Sequence, residues 1–203
     1  MTKSSQKKFI EKESKFCAEN YKPLPVVLCK GKGVWVWDTD GNKYLDMMSA
    51  YSAVSHGHSH PELIKVLHRQ SEVLGITSRA FYTDTLGAFL EKLVNISGLD
   101  IALPMNTGAE AVETAIKAAR RWAYKTKKVE TNKAEIIVAE GNFHGRTTTI
   151  ISFSTDEQSK EDFGPYTPGF VSIKYGCIES LKEAITKNTA AFLVEPIQGE
   201  AGI

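Results

Sequence analysis

Leu103-Pro104-Met105-Asn106-Thr107-Gly108-Ala109-Glu110-Ala111 is an apolar run that hands over, through small and polar residues, to a helix-forming one. Thr107 is a favoured N-cap residue, and Glu110 three positions later completes a capping box, so the turn needs no ligand to be stable. The same turn also suits an anion, because the first N–H groups of a helix lack intrahelical partners and lie at the positive end of its dipole. Neither the G-x-G-x-x-G of dinucleotide folds nor the G-K-[ST] of P-loops is present. On pattern alone both readings stay open, and they are compatible.

Around this turn the chain alternates between strand and helix. The expected order is a strand over Ile101–Met105, a long helix from Gly108, strands over Glu135–Ala139 and Phe170–Tyr175, a helix near Glu179–Thr186 and a strand over Ala190–Val194. Apolar strands alternating with amphipathic helices predict a mostly parallel sheet covered on both faces, an α/β fold. Upstream, Val34–Trp37 and Lys43–Met47 flank the turn formers Asp38 to Asn42 and predict a hairpin. Ser59-His60-Pro61-Glu62 opens a helix carrying Leu63, Val66, Leu67 and Leu74. A second helix from about Asp84 is expected to bury Leu86, Phe89, Leu90, Leu93 and Val94. Residues 1 to about 20 are polar and lysine-rich, which suggests a loosely held arm or an exposed helix. The chain stops in the loop Glu195 to Ile203, straight after its last strand. An α/β domain ordinarily continues there, so truncation is expected.

The 203 residues, 42% hydrophobic, suffice for one sizeable core. Twenty-five Lys and Arg against 24 Asp and Glu leave a formal charge of +1, which supplies no global field for nucleic acid or anionic membrane. A small-molecule role follows as the expectation. Cys17, Cys29 and Cys177 are scattered and odd in number, which argues against a disulfide framework or a zinc site. The start has no apolar run for a signal peptide, and Glu11 and Glu13 without arginine fit a transit peptide poorly. No stretch approaches the roughly 18 apolar residues of a membrane helix, and a cytoplasmic location is expected.

Gly141-Asn142-Phe143-His144-Gly145-Arg146-Thr147 follows a strand at the carboxyl edge of the sheet, where open α/β sheets bind ligands. It offers a ring for stacking, an imidazole and a guanidinium able to grip a carboxylate bidentately. A packed Phe and a surface Arg would account for the same residues. His56, His58 and His60 alternate as metal ligands on a strand would, but Gly57 and Pro61 make the stretch a loop with no Cys, Asp or Glu beside it. Turn and packing roles are expected, and no metal.

Jointly, these segments resemble the class III, fold type I pyridoxal-phosphate aminotransferases, and most closely the ornithine aminotransferase branch. The match runs from about Tyr21 through nearly the whole chain. It includes Asn20 to Pro25, Tyr51-Ser52-Ala53-Val54 with Gly57 to Pro61, and Ser78-Arg79-Ala80-Phe81-Tyr82. Met105 to Glu110, Asn142 to Thr147, Phe163-Gly164-Pro165 with Pro168-Gly169-Phe170, and Glu195 to Gly202 complete it. The resemblance implies pyridoxal 5'-phosphate as cofactor, with Thr107, Gly108 and Ala109 at its phosphate, Phe143 on its ring and Glu195 near it. It assigns Tyr21, Tyr51, Arg146 and Glu200 to substrate, with Tyr21 and Arg146 holding the α-amino and α-carboxylate end of L-ornithine so that the δ-amino group reacts. Glu200 resembles a carboxylate that pairs with, and releases, a second arginine when 2-oxoglutarate binds. Residues 1–55 would belong to a small domain and 56–203 to the first part of the large cofactor-binding domain, in a homodimer when complete. The Schiff-base lysine and the acid on the pyridine nitrogen lie beyond residue 203 in this family, so the chain as given would be inactive alone. Acetylornithine or 4-aminobutyrate as amino donor, and a non-catalytic half-length ligand-binding protein, are the alternatives.

Overall fold

The computed structural model describes residues 3–202 and divides into two compact units, Met1–Asp84 and Thr85–Ile203. The expected truncation point, Ile203, and the first two residues of the N-terminal segment lie outside the described residues.

In the first unit, helix α1 (Lys3–Phe16) precedes a three-stranded antiparallel sheet of β1 (Leu28–Lys32), β2 (Trp35–Asp38) and β3 (Lys43–Leu45), in that order. The hairpin expected from Asp40-Gly41 is β2–β3, with Trp35 opposite Leu45 and Trp37 opposite Lys43. β1 has no signature in sequence: Leu28-Cys29-Lys30-Gly31-Lys32 shows no apolar alternation, and it becomes a strand only because the backbone of β2 offers it a ladder. Asp38 holds the turn together. Its carboxylate accepts from Asn42 N and Nδ2 at 2.8 and 2.9 Å, from Asp40 N at 3.0 Å and from the Tyr44 hydroxyl at 2.7 Å. Gln6 of α1 donates to it as well, at 3.1 Å, and also to Asp40 at 2.7 Å. The N-terminal segment is therefore an exposed helix with a tether. Helix α2 (Pro61–Val73) begins with Pro61 in its first turn, as the sequence predicts.

The second unit contains α3 (Leu86–Ser97), α4 (Gly108–Lys125), β4 (Glu135–Ala139), the single turn α5 (Thr148–Ile151), β5 (Phe170–Ile173), α6 (Ile178–Ala184) and β6 (Thr189–Leu193). Its sheet is parallel in the order β5-β4-β6, so the strand that comes first in sequence is central. Ile136 and Val138 turn one way, against Ile116 of α4, Ile150 of α5 and Phe153. Ile137 and Ala139 turn to the opposite face and are buried too. Burial on both faces explains why β4 reads Glu-Ile-Ile-Val-Ala without alternation.

Two expectations are corrected. Ile101–Met105 is not a strand: among the described residues it pairs with none of β4, β5 and β6, and Ile101 and Leu103 are 86% and 70% exposed. Helix α3 starts at Leu86 and buries none of its residues fully. Leu86, Leu90, Leu93 and Val94 are half-buried and Phe89 is exposed, so its apolar stripe is only partly covered among the described residues. No described helix is long and apolar enough to cross a membrane.

Burial alone would raise the pKa of Asp38, but the hydrogen bonds from Asn42, Tyr44 and Asp40 outweigh it and bring the value from 3.8 down to about 2. A depressed carboxylate contributes stability above its unfolded value and loses it as pH falls through the folded one. Trp35 and Trp37 flank this turn, so their fluorescence reports it. On acidification from 3.8 to about 2 the hairpin is expected to loosen, and Asp38→Asn to flatten that limb of the pH profile. An unchanged profile in the variant would assign the acid sensitivity elsewhere.

Candidate functional site

Helix α4 starts with the capping box read from sequence: Glu110 N donates to Thr107 Oγ1 at 3.1 Å, and Thr107 N to Glu110 Oε2 at 3.0 Å. Asn106 N donates to the same oxygen at 3.0 Å. The box thus uses the N–H groups of Asn106, Thr107 and Glu110. It leaves those of Gly108 and Ala109, at the first two helical positions, with no acceptor among the described residues. A Cβ added at Gly108 would meet nothing within 4 Å, so the protein's own packing does not require glycine there.

The second part of the site is the loop 141–147. Gly145 has φ +126°, and a Cβ there would come within 3.0 Å of Ile150 Cδ1 and 3.3 Å of Ala109 Cβ. The loop therefore lies against the first turn of α4, and glycine is the residue that permits it. Phe143 is 42% exposed, and the Arg146 guanidinium stands 5.8 Å from the centre of its ring. Phe143 N donates to Glu195 Oε2 at 3.0 Å, which ties the loop to the segment after β6. Gly199 N donates to the other oxygen of Glu195 at 3.4 Å, and Glu200 is exposed nearby in sequence. One edge of the second unit thus gathers Thr107, Gly108, Ala109, Phe143, Arg146 and Glu195.

His144 faces inward, its ring 6.0 Å from that of Phe153, with Nε2 buried and unpartnered among the described residues. Burial lowers its pKa, against an opposing pull from the Glu195 carboxylate, so the imidazole is neutral at physiological pH.

Tyr21 and Tyr51 belong to the first unit, 63% and 78% exposed. Tyr51 sits in a run of left-handed residues, Ser49 to Ser52, with φ between 46° and 72°. Non-glycine residues pay roughly 1–2 kcal/mol each for that conformation. The run follows Asp46, whose Oδ1 accepts from Met48 N and Ser49 N at 3.0 and 2.9 Å. The other oxygen of Asp46 meets His58 Nε2 at 2.7 Å, so the acidic neighbour missing from the histidine stretch comes from twelve residues upstream. His56 and His60 pack edge to face, with centroids 6.4 Å apart.

Sequence reasoning passed over Glu113, whose carboxylate accepts from the Thr147 hydroxyl, and Asn142 and Gln198, whose amides anchor the loops. The one available signal was Thr147 as an N-cap for the short helix after it, confirmed by Ile150 N donating to its hydroxyl at 3.2 Å.

The class-III aminotransferase family model matches residues 16–203. The ornithine aminotransferase of Brevibacillus brevis is 63% identical over 194 residues, 96% of this chain and 49% of that protein. That of Halalkalibacterium halodurans is 59% identical, over 98% of this chain and 50% of its own length. The chain spans about half the length of the curated relatives it matches. Among solved structures, the ornithine aminotransferase of Toxoplasma gondii ME49 superposes with a TM-score of 0.93 at 44% identity, covering 96% of this chain and 46% of that one. The acetylornithine aminotransferase of Elizabethkingia anophelis gives 0.81 at 48% identity, covering 97% and 46%.

The closeness of Gly145 to Ala109 and Ile150 has a measurable consequence. Gly145→Ala combines a strained φ with overpacking and is expected to destabilise by about 2–3 kcal/mol, read as a shifted denaturation midpoint. A variant as stable as the parent would show that the loop does not need this approach.

Proposed function

This chain belongs to the class-III aminotransferase family, and we propose that the complete protein containing it moves the δ-amino group of L-ornithine to 2-oxoglutarate, giving glutamate 5-semialdehyde and glutamate, with pyridoxal 5'-phosphate as cofactor. The observation that carries this reading is the approach of loop 141–147 to the two unpartnered N–H groups that open α4. It sets an anion cradle, an exposed aromatic ring and a guanidinium at one edge of a parallel sheet.

The residues fit a phosphorylated aromatic cofactor. Gly108 and Ala109 would donate N–H groups to phosphate oxygens, with no Cβ on Gly108 to block the approach, and Thr107 borders them. Phe143 has ring surface available for stacking, and Glu195 fixes the backbone that carries it. When bound, pyridoxal 5'-phosphate supplies the electron sink that takes up an amino group and passes it on. Arg146 would hold the α-carboxylate by bidentate hydrogen bonds, which orients the chain of ornithine so that its distal amine is the one presented. Tyr21 and Tyr51 are assigned to substrate recognition by resemblance, and Glu200 to the exchange between the two substrates. No residue of this chain is assigned the Schiff-base role; that lysine and the acid on the pyridine nitrogen are proposed to come from the other half of the protein. A homodimer in the cytoplasm completes the proposal.

Relatives at 57–63% identity named ornithine aminotransferase support ornithine over acetylornithine. In the complete protein, Tyr21→Phe is expected to raise KM for L-ornithine about ten-fold, the worth of one charge-assisted hydrogen bond. It should leave 5-aminopentanoate, which lacks the α-amino group, unaffected. Equal losses on both amines, or a parent enzyme that consumes 4-aminobutyrate or acetylornithine in preference to ornithine, would overturn the assignment.

A further inference from the structure

We propose that Glu113 and Thr147 form a positioning pair that sets where Arg146 stands relative to the opening turn of α4; the inference rests on the transamination reading above. The loop that carries Phe143 and Arg146 contains two glycines, Gly141 and Gly145, at φ +72° and +126°, and glycine restricts its own backbone less than any other residue. Two carboxylates from other elements close it. Upstream of Arg146, Glu195 takes the N–H of Phe143 at 3.0 Å. Downstream, the hydroxyl of Thr147, the residue next to Arg146, donates a hydrogen bond to the Glu113 carboxylate.

The forces on the loop are of two kinds. Gly145 already stands against Ala109 and Ile150, so contact resists movement toward α4. Contact cannot resist movement away from it. The Glu113–Thr147 hydrogen bond does, and it is directional, because a hydroxyl has one proton to give and the same Oγ1 is committed as acceptor to Ile150 N at 3.2 Å. Glu113 lies one turn beyond the capping-box Glu110, so one helix both presents the free N–H groups and holds the clamp loop. Lys117, four residues further on, makes no ion pair with Glu113 among the described residues, and the carboxylate accepts from Thr147. A displacement of about 1 Å in a clamp is enough to cost a large factor in productive binding.

The test uses the complete protein with Thr147→Val, Glu113→Ala, the double variant and Thr147→Ser, which keeps the hydroxyl. Two readouts apply: KM for L-ornithine against the inhibition constant of 1,4-diaminobutane, which has the distal amine but no carboxylate, and the rate of tryptic cleavage after Arg146 in cofactor-free protein. Thr147→Val and Glu113→Ala are each expected to raise the ornithine KM about ten-fold and to speed cleavage, with the double variant no worse than either single. Thr147→Ser should restore both readouts, and the 1,4-diaminobutane constant should stay unchanged throughout. Additive losses, equal losses for both amines, or cleavage that stays at the parental rate would overturn the pair. Should Glu113→Ala not fold, the Thr147→Val and Thr147→Ser contrast decides alone. A parent protein that does not turn over ornithine would sink the transamination reading, and the cleavage rates would then uphold or overturn the pair by themselves.

Discussion

At the carboxyl end of β4 the sheet ladder runs out at the buried Ala139, and loop side chains donate to its carbonyl and to that of Glu140. Asn142 Nδ2 donates to Ala139 O at 2.6 Å, and Gln198 Nε2 donates to Glu140 O at 2.7 Å. An unsatisfied buried carbonyl costs about 1–3 kcal/mol, so the Asn142 amide is strongly held on Ala139. The Asn142 and Gln198 side chains are both buried. Each belongs to a loop at the candidate site, Asn142 to the loop with Phe143 and Arg146, Gln198 to the segment with Glu195 and Glu200. The sheet therefore fixes the site by its own need for hydrogen-bond donors. Gly141, between the two, has φ +72° and leaves room for Gln198 Oε1 where a Cβ would come within 3.1 Å.

Helix α4 does the complementary part. Its capping box satisfies the N–H groups of Thr107 and Glu110, Glu110 also takes that of Asn106, and those of Gly108 and Ala109 at the positive end of the dipole have no acceptor among the described residues. Its apolar side enters the core through Ile116 and Ala123. Glu113, on the side toward the loop, holds Thr147. A single helix thus joins the core, the unpartnered N–H groups of Gly108 and Ala109 and, through Glu113, the loop that carries Arg146. His144 is half-buried against Phe153, and burial holds its pKa below the ordinary imidazole value.

Elements with their apolar period, cap or turn residues written into consecutive positions were legible from the sequence: the β2–β3 hairpin, α2, α4, and all three parallel strands. Ile101–Met105 looked like a strand because it is apolar, but a strand is a relation between two backbones and this segment pairs with no other among the described residues. β1 failed in the opposite direction, having no apolar pattern and a ready partner. The stripe of α3 reads correctly as helical, yet periodicity reports which face is apolar and not whether anything covers it.

The candidate site divides in the same way. The sequence by itself determined the capping box at Thr107 and Glu110, the chemistry available in Phe143, His144 and Arg146, and the family to which these motifs belong, since each depends on residue types at short fixed spacings. Only the tertiary structure decided that Gly145 rests on Ala109, that Glu195 takes the N–H of Phe143 from 52 residues away, and that Glu113 reaches Thr147 across 34. Those contacts join segments far apart in the chain, and their geometry follows from how β4 and α4 pack, which no local spacing encodes.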